Sequence, residues 1–244
     1  MAVRAPIPDL AAGERTLGRD ASRYLCRVLR MREGATFVAF DPETRTEADA
    51  TIVRSDDDAA VARIGELRPA KVVADRPLVL VYALAKGDKV NAVVRDATEL
   101  GATRVVVART ARAVVKAEGE REEKKLDRWR RVAEQAARQS GRADPPAIDG
   151  VLDWDDALAA AGPCDARYVL AVGAATPLGA LLPDAIGRGE AIAFAIGPEG
   201  GLTPGEVDAA KARGFEPVSL GEIVLRTETV AAALLGAVRV LRAR

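Results

Sequence analysis

From residue 77 onward the chain alternates between continuous apolar runs and amphipathic segments. The apolar runs are LVLVYAL, RVVVART, ARYVLAVG, EAIAFAIG and EPVSLG, each about the length of one strand. The segments between them have helical spacing, as in DKVNAVVRDATEL and TPGEVDAAKARG, and an almost wholly apolar helix is predicted at 228–241. Strands that are apolar on both faces are typical of a parallel sheet covered by helices on both sides. The pattern therefore predicts an α/β domain with a mostly parallel sheet over residues 73–244.

The first 72 residues follow a different pattern. ATFVAF, EADATIV and AAVARIGEL are short, alternating or β-branched, and polar turns separate them, which predicts a small β-barrel or sandwich over 1–72. A helix is predicted at 20–31, with Leu25, Val28 and Leu29 on its inner face. Its other face carries four arginines, which we call the arginine stripe: Arg19, Arg23, Arg27 and Arg30.

Composition removes several classes of site. The chain has no histidine, so catalytic triads, Cys-His nucleophiles and His-based metal centres are excluded, and no metal is expected. Cys26 and Cys164 form no CxxC pair, which predicts two buried reduced thiols in a cytoplasmic protein. The opening MAVRAPIPDL lacks the apolar core of a signal peptide, and no apolar run approaches the roughly 18 to 20 residues of a membrane span.

Charge is balanced overall but not locally. Lysine plus arginine and aspartate plus glutamate each number 36. Residues 109–142 nevertheless hold 11 basic against 6 acidic side chains, whereas 143–216 hold 4 against 12. The basic segment could meet a phosphate backbone, and a solvated helix face is the alternative explanation.

The segment FAIGPEGGLTPGEVDAAKARGF links a strand to a helix through a turn rich in glycine. Thr203, Pro204 and Glu206 have the spacing of a capping box with proline at the first helical position. The glycines before them would let the backbone approach a ligand closely. The turn lacks the Lys-Ser/Thr of a P-loop, so a tight structural connection is the alternative.

A second unusual segment is VSLGEIVLRTETVAAALLGAV, where a strand leads into an irregular stretch and then an apolar helix. Arg226 stands at the start of that helix, where the dipole disfavours a cation. The placement suggests a role in a site, and a structural ion pair with Glu222 or Glu228 is the alternative.

The two segments together resemble the RsmE-type 16S rRNA (uridine-N3)-methyltransferases of the SPOUT class. The resemblance rests on IGPEGGLTPGEV and LGEIVLRTETV, and extends in order through RVLRMREG, ATELGATRVVVARTARAVV and RWRRVAEQAARQSGR followed by Pro146. It implies a PUA-like barrel over 1–72 and a SPOUT domain over 73–244 with a C-terminal trefoil knot. It also implies a cytoplasmic homodimer that binds S-adenosylmethionine and methylates a decoding-region uridine of 16S rRNA in the small ribosomal subunit.

The resemblance assigns functional residues by position. Those implied to bind the cofactor are Gly173, Gly197, Glu199, Gly200, Gly201, Leu220, Gly221, Ile223, Leu225, Arg226 and Thr229. For catalysis, Arg226 is expected to stabilise negative charge on the base, with Glu199 and Glu228 as candidate proton acceptors. The resemblance also implies that Arg4 reaches the RNA. Charge and helical spacing add, as expected RNA contacts, the arginine stripe and, from the basic segment 109–142, Arg112, Lys116 and Arg142.

The chain departs from the family pattern at Tyr24, Asn91 and Arg138, away from both motifs. These departures leave room for a knotted methyltransferase that acts on another rRNA or tRNA nucleotide. A non-catalytic RNA-binding assembly factor is a rival from another class, and calorimetry with S-adenosylmethionine discriminates it.

Overall fold

The computed structural model describes residues 2–113 and 120–243, which divide into two compact units. The first unit comprises the chain up to Val73 together with Ala137–Pro145. The second comprises Ala74–Ala136 and the chain from Pro146 onward. No helix among these residues has both the length and the apolar content that a membrane crossing requires.

The first unit is built on a six-stranded sheet. Its strands are β1 (Arg4–Pro6), β2 (Gly13–Thr16), β3 (Thr36–Asp41), β4 (Thr46–Arg54), β5 (Val61–Ile64) and β6 (Arg68–Pro69). They follow the order β1-β3-β4-β5-β2, with β6 paired to β4. The pairing of β1 with β3 is parallel, and the others are antiparallel. The predicted small β domain is confirmed.

The predicted helix at 20–31 differs from the observed one. Helix α1 (Arg19–Ser22) continues as a π-helix over Arg23–Val28, in which the Leu29 amide donates to the Tyr24 carbonyl at 3.0 Å. The wider turn moves Val28 and Leu29 to the surface, 67% and 39% exposed, and the prediction that they lie inside is wrong. Leu25 is buried as predicted, and Cys26 is buried beside it.

The second unit is built on a seven-stranded sheet. Its strands are β7 (Leu78–Ala83), β8 (Arg104–Arg109), β9 (Ala147–Asp153), β10 (Ala166–Leu170), β11 (Thr176–Pro177), β12 (Ile192–Ile196) and β13 (Glu216–Ser219). They follow the order β11-β13-β10-β12-β7-β8-β9, and each pairing between these strands is parallel. Every residue of β7 and β12 is buried, as a sheet covered on both faces requires. The predicted parallel α/β domain is confirmed.

Helices fill the connections of that sheet. They are α2 (Lys89–Glu99), α3 (Glu120–Ser140), α4 (Trp154–Ala160), α5 (Leu182–Gly187), α6 (Pro204–Ala212) and α7 (Thr227–Arg242). Gly101 follows α2 with φ 99°, as its predicted place after the helix end requires. The last helix, α7, is buried along only part of its surface. Leu234 and Leu235 are buried in this unit's own core, whereas Val240 is 69% exposed.

Candidate functional site

A pocket of about 910 Å³ opens where β10, β12 and β13 end. These strands are neighbours in the parallel sheet, so the loops that leave them meet at one edge. Ligands of open parallel sheets bind beyond the carboxyl ends of the strands. The pocket therefore lies where sheets of this kind bind their ligands.

Ten of the eleven residues implied to bind a cofactor line this one pocket: Gly173, Gly197, Glu199, Gly200, Gly201, Leu220, Gly221, Ile223, Leu225 and Arg226. Thr229 does not line it and is exposed on α7. Sequence reasoning did not include Val172, Leu202 and Val224 among the cofactor residues, although all three line the pocket. Val224 lies inside the motif LGEIVLRTETV, whereas Val172 and Leu202 are each directly next to a residue that was named, Gly173 and Gly201.

The turn after β12 is fixed by the helix that follows it. Thr203 caps α6, since its hydroxyl accepts from the Glu206 amide at 3.3 Å and the Glu206 carboxylate accepts from the Thr203 amide at 2.7 Å. The predicted capping box is confirmed. The other Glu206 oxygen accepts from the Ala111 amide at 2.7 Å. One carboxylate thus holds both the helix start and the loop after β8.

Two glycines of this turn lie where a side chain would collide with a neighbour. A Cβ on Gly197 would stand 2.7 Å from the Leu202 Cγ, and one on Gly200 would stand 3.2 Å from the Arg112 Cβ. Arg112 also donates from Nη1 to the Gly200 carbonyl at 3.0 Å. Only glycine fits these positions without movement of Leu202 or Arg112, so the turn presents bare backbone to the pocket.

The loop between β13 and α7 exposes apolar side chains. Ile223 and Val224 are 79% and 80% exposed, although both line the pocket. Exposed apolar side chains around a concave site are typical of a ligand-binding surface. The loop therefore provides an apolar wall beside the polar backbone of the glycine turn.

Opposite charges meet at the edge of the pocket. The Lys89 Nζ lies 2.6 Å from Glu199 Oε1 and 3.5 Å from Glu228 Oε2. The hydrogen bond from Lys89 is the largest cause that lowers the pKa of the Glu199 carboxyl, and it raises the pKa of Lys89 itself. The pKa of Glu228 is lowered first by its own backbone amide, with Lys89 adding to the effect. Both carboxylates are therefore ionised at neutral pH.

Arg226 is the N-cap residue of α7 and is exposed. Within 2–113 and 120–243 its guanidinium forms no ion pair, so the structural pairing with Glu222 or Glu228 that the sequence left open is not made. An unpaired cation that lines the pocket at a helix start remains available to a ligand.

Two of the arginines expected to contact RNA are held in ion pairs, Arg142 buried and Arg4 largely covered. Arg4 is 11% exposed, pairs with Glu47 at 3.0 Å and lies over the Phe40 ring. Arg142 is 5% exposed and pairs with Asp144 at 3.1 Å. Each guanidinium is held by a carboxylate of its own unit, so either arginine would have to exchange that carboxylate for a phosphate in order to contact RNA.

The arginine stripe is on the surface of the first unit. All four side chains are exposed, and Arg19 and Arg23 share Asp58 at 3.5 Å and 3.2 Å. Arg27 and Arg30 form no ion pair within the part of the chain that the structure describes. Lys116, the remaining candidate, lies outside the described residues.

The thiols match the sequence expectation only in part. Cys26 is buried, but Cys164 is only half-buried, and neither forms a disulfide. Burial raises the pKa of the Cys164 thiol.

Both units match known sequence families. Residues 74–239 match an RNA methyltransferase domain, and residues 17–65 match an RNA methyltransferase PUA domain. The chain is 32% identical over 231 residues to ribosomal RNA small subunit methyltransferase E of Synechocystis, covering 93% of this chain and 73% of the relative. It is 37% identical over 174 residues to the protein of the same name from Mycobacterium bovis, covering 69% of this chain.

The chain spans 64% of the length of that mycobacterial relative.

Among solved structures, ribosomal RNA small subunit methyltransferase E from Neisseria gonorrhoeae bound to S-adenosyl methionine superposes with a TM-score of 0.87 at 28% identity. That match covers 99% of this chain and 98% of the other. These matches confirm the resemblance inferred from the two motifs.

Proposed function

The chain belongs to the family of ribosomal RNA small subunit methyltransferase E, and on that premise we propose that it transfers a methyl group from S-adenosylmethionine to N3 of a decoding-region uridine in 16S rRNA. The observation that carries the proposal is the single pocket formed by both sequence motifs at the carboxyl ends of three parallel strands.

The residues of the pocket fit a nucleoside that carries a sulfonium. The glycine turn has no room for side chains at Gly197 and Gly200, so its backbone is free to approach an adenosine and offer amide and carbonyl groups. Ile223 and Val224 supply apolar surface for a base, and Glu199 borders the pocket as a carboxylate that is already paired with Lys89. When bound, S-adenosylmethionine supplies an activated methyl group.

The chain must make N3 of uracil nucleophilic, because that nitrogen carries a proton. Arg226 is exposed, unpaired within the described ranges and part of the pocket wall, so it stabilises the negative charge that develops on the base. Glu199 and Glu228 are the candidate proton acceptors. Their lowered pKa values make them weak bases, so positioning and charge stabilisation contribute most to the rate.

The RNA partner is held by the arginine stripe on the first unit and by Arg112 on the second. Arginine contacts to phosphate position the RNA without choosing its sequence. N3 is hidden in a Watson–Crick pair, so the target uridine must be unpaired or flipped out. Arg4 and Arg142 would join these contacts only by exchanging their partners Glu47 and Asp144 for phosphate.

The protein acts as a homodimer in the cytoplasm. The inner face of α7 is buried in its own unit, whereas Ala233 and Val240 on the same helix are exposed. Two-fold pairing with a second copy is the commonest way to cover such a surface.

Nucleoside mapping by mass spectrometry tests the substrate. Small-subunit rRNA from cells that carry the gene should contain 3-methyluridine at one position, and rRNA from cells without it should lack that nucleoside. A missing modification on another nucleotide would instead support the knotted methyltransferase of different specificity. Absence of S-adenosylmethionine binding in calorimetry would support the non-catalytic assembly factor.

Single-turnover kinetics test the role of Arg226. Arg226→Ala should lower the methylation rate at saturating cofactor and RNA by about 100-fold, the effect of removing one charge-stabilising donor. Arg213→Ala is the matched control, because Arg213 is also exposed but does not line the pocket. A full single-turnover rate in Arg226→Ala would remove the proposed role.

A further inference from the structure

Lys89 is a cation at a position where a cation is disfavoured. It is the first residue of α2, and the partial positive charge of a helix start destabilises a lysine there. Two carboxylates compensate, with Nζ 2.6 Å from Glu199 and 3.5 Å from Glu228. We call these three side chains the Lys89 bridge.

The Lys89 bridge joins the two segments that form the pocket. Glu199 lies within the glycine turn after β12, and Glu228 lies in the first turn of α7, directly after the apolar loop. Lys89 itself does not line the pocket. Its two contacts therefore fix the relative positions of two segments without occupying the space between them.

The far end of the bridge is anchored in the core. The Thr227 hydroxyl donates to Glu228 Oε2 at 3.3 Å and accepts from the Tyr82 hydroxyl at 2.8 Å. Tyr82 is buried in β7, and desolvation raises the pKa of its hydroxyl, so it stays protonated. A continuous set of polar contacts thus runs from the central sheet through Glu228 and Lys89 to the glycine turn.

The glycine turn is also held from its other side. Arg112 donates to the Gly200 carbonyl at 3.0 Å, one residue after Glu199. Neighbouring residues of the turn are therefore tethered to two different elements, the start of α2 and the loop after β8. Such tethering reduces the ordering cost that a ligand would otherwise meet on binding.

We infer that Lys89 is a positioning residue for the cofactor pocket, which holds the glycine turn and the start of α7 in their binding arrangement. The inference rests on the proposed function, since it assigns S-adenosylmethionine to that pocket. Lys89 acts through Glu199 and Glu228 and touches no reacting atom.

Calorimetric titration with S-adenosylmethionine tests the inference. Lys89→Gln keeps most of the side-chain length but removes the charge, and the Kd should rise about fivefold to tenfold because partly exposed ion-pair networks and preorganisation contribute at this scale. Lys89→Arg, which can pair with both carboxylates, should restore most of the affinity. Glu228→Gln should have a smaller effect, since the 2.6 Å contact to Glu199 remains.

Lys86→Gln is the matched control. Lys86 is exposed three residues earlier and acts on Glu199 through charge alone, with no ion pair within the described residues. Its Kd should stay within about twofold of wild type, as expected for an isolated surface charge. An equal loss in Lys86→Gln and Lys89→Gln would mean that general charge is responsible, which overturns the positioning role.

Steady-state methylation separates positioning from chemistry. In Lys89→Gln the KM for S-adenosylmethionine should rise with the Kd, whereas kcat at saturating cofactor should stay within about twofold, the pattern of lost ground-state binding. Circular dichroism should show the same unfolding temperature in Lys89→Gln, Lys89→Arg and wild type. Wild-type affinity in Lys89→Gln would overturn this inference alone, whereas no binding by the wild type would overturn the proposed function with it.

Discussion

Substitution of Gly200 tests whether backbone of the glycine turn meets the cofactor. A Cβ there would lie 3.2 Å from the Cβ and 3.6 Å from the Cδ of Arg112. Valine adds two methyl groups beyond that atom, so Arg112 must move and its hydrogen bond to the Gly200 carbonyl must break. The backbone angle φ of Gly200 is not in the left-handed region, so the effect is one of space and not of backbone strain.

The magnitude follows from two costs. A lost hydrogen bond costs about 1 kcal/mol, and forcing methyl groups into a filled space costs about 1 to 3 kcal/mol. The two costs together are at least about 2 kcal/mol, which the loop must meet to adopt its binding arrangement. The Kd for S-adenosylmethionine should therefore rise by at least about 30-fold in Gly200→Val. Gly200→Ala should give a smaller loss, about fivefold, because only the single 3.2 Å contact must relax.

Calorimetry measures the affinity, and thermal unfolding followed by circular dichroism measures the fold. Gly205→Ala is the matched control, since a Cβ at Gly205 within α6 meets nothing within 4 Å. It should leave the Kd unchanged and should not lower the unfolding temperature, since Gly205 is the second residue of α6 and has open space beside it. Unchanged affinity in Gly200→Val, with the fold intact, would remove the glycine turn from the cofactor site.

Three further outcomes are expected. Joint replacement of Arg23 and Arg27 by glutamate should weaken RNA binding and methylation and reduce the salt dependence of RNA binding. The affinity for S-adenosylmethionine in calorimetry should stay unchanged. Methylation at the wild-type level would mean that the arginine stripe is only a solvated helix face. Light scattering should give a mass near twice 25.7 kDa, and a monomer at micromolar concentration would contradict the dimer. Because Lys89 helps to lower the pKa values of Glu199 and Glu228 from the usual range of a glutamate, the contribution of the Lys89 bridge is fully present above that usual range and is lost only as pH falls through the lowered values. Cofactor affinity should therefore be constant from neutral pH to about pH 5, and a decline that starts above pH 6 would contradict the assignment.

The sequence by itself determined the elements whose environment is uniform along the chain. Strands β7 and β12 are buried on both faces, so nearly all of their side chains must be apolar. A continuous apolar run of this kind can be recognised in the sequence without a structure. The capping box at Thr203 and Glu206 is equally local, because its partners are three residues apart. The resemblance carried by the two motifs also implied much of the pocket lining, and nine of the ten named residues that line the pocket lie within these two strand-to-helix connections.

Local pattern did not predict elements that depart from regular periodicity. The π-helix over Arg23–Val28 turns its side chains at a wider spacing than the 3.6 residues assumed, so Val28 faced the wrong way in the prediction. Strand β9 contains Asp149 and Gly150 within a short apolar segment, and its strand character depends on pairing with β8.

Only the tertiary structure decided which charges meet. Arg4 and Glu47 are 43 residues apart, and Lys89 and Glu199 are 110 apart. An arginine that is paired with a distant carboxylate and one that faces solvent have the same appearance in a sequence. The resemblance therefore named Arg4 as an RNA contact with no sign of its ion pair to Glu47, and Lys89 was overlooked. The order of strands in the two sheets brings these segments together. The energy of an ion pair depends on the distance between the charges in space, which a local sequence pattern does not contain.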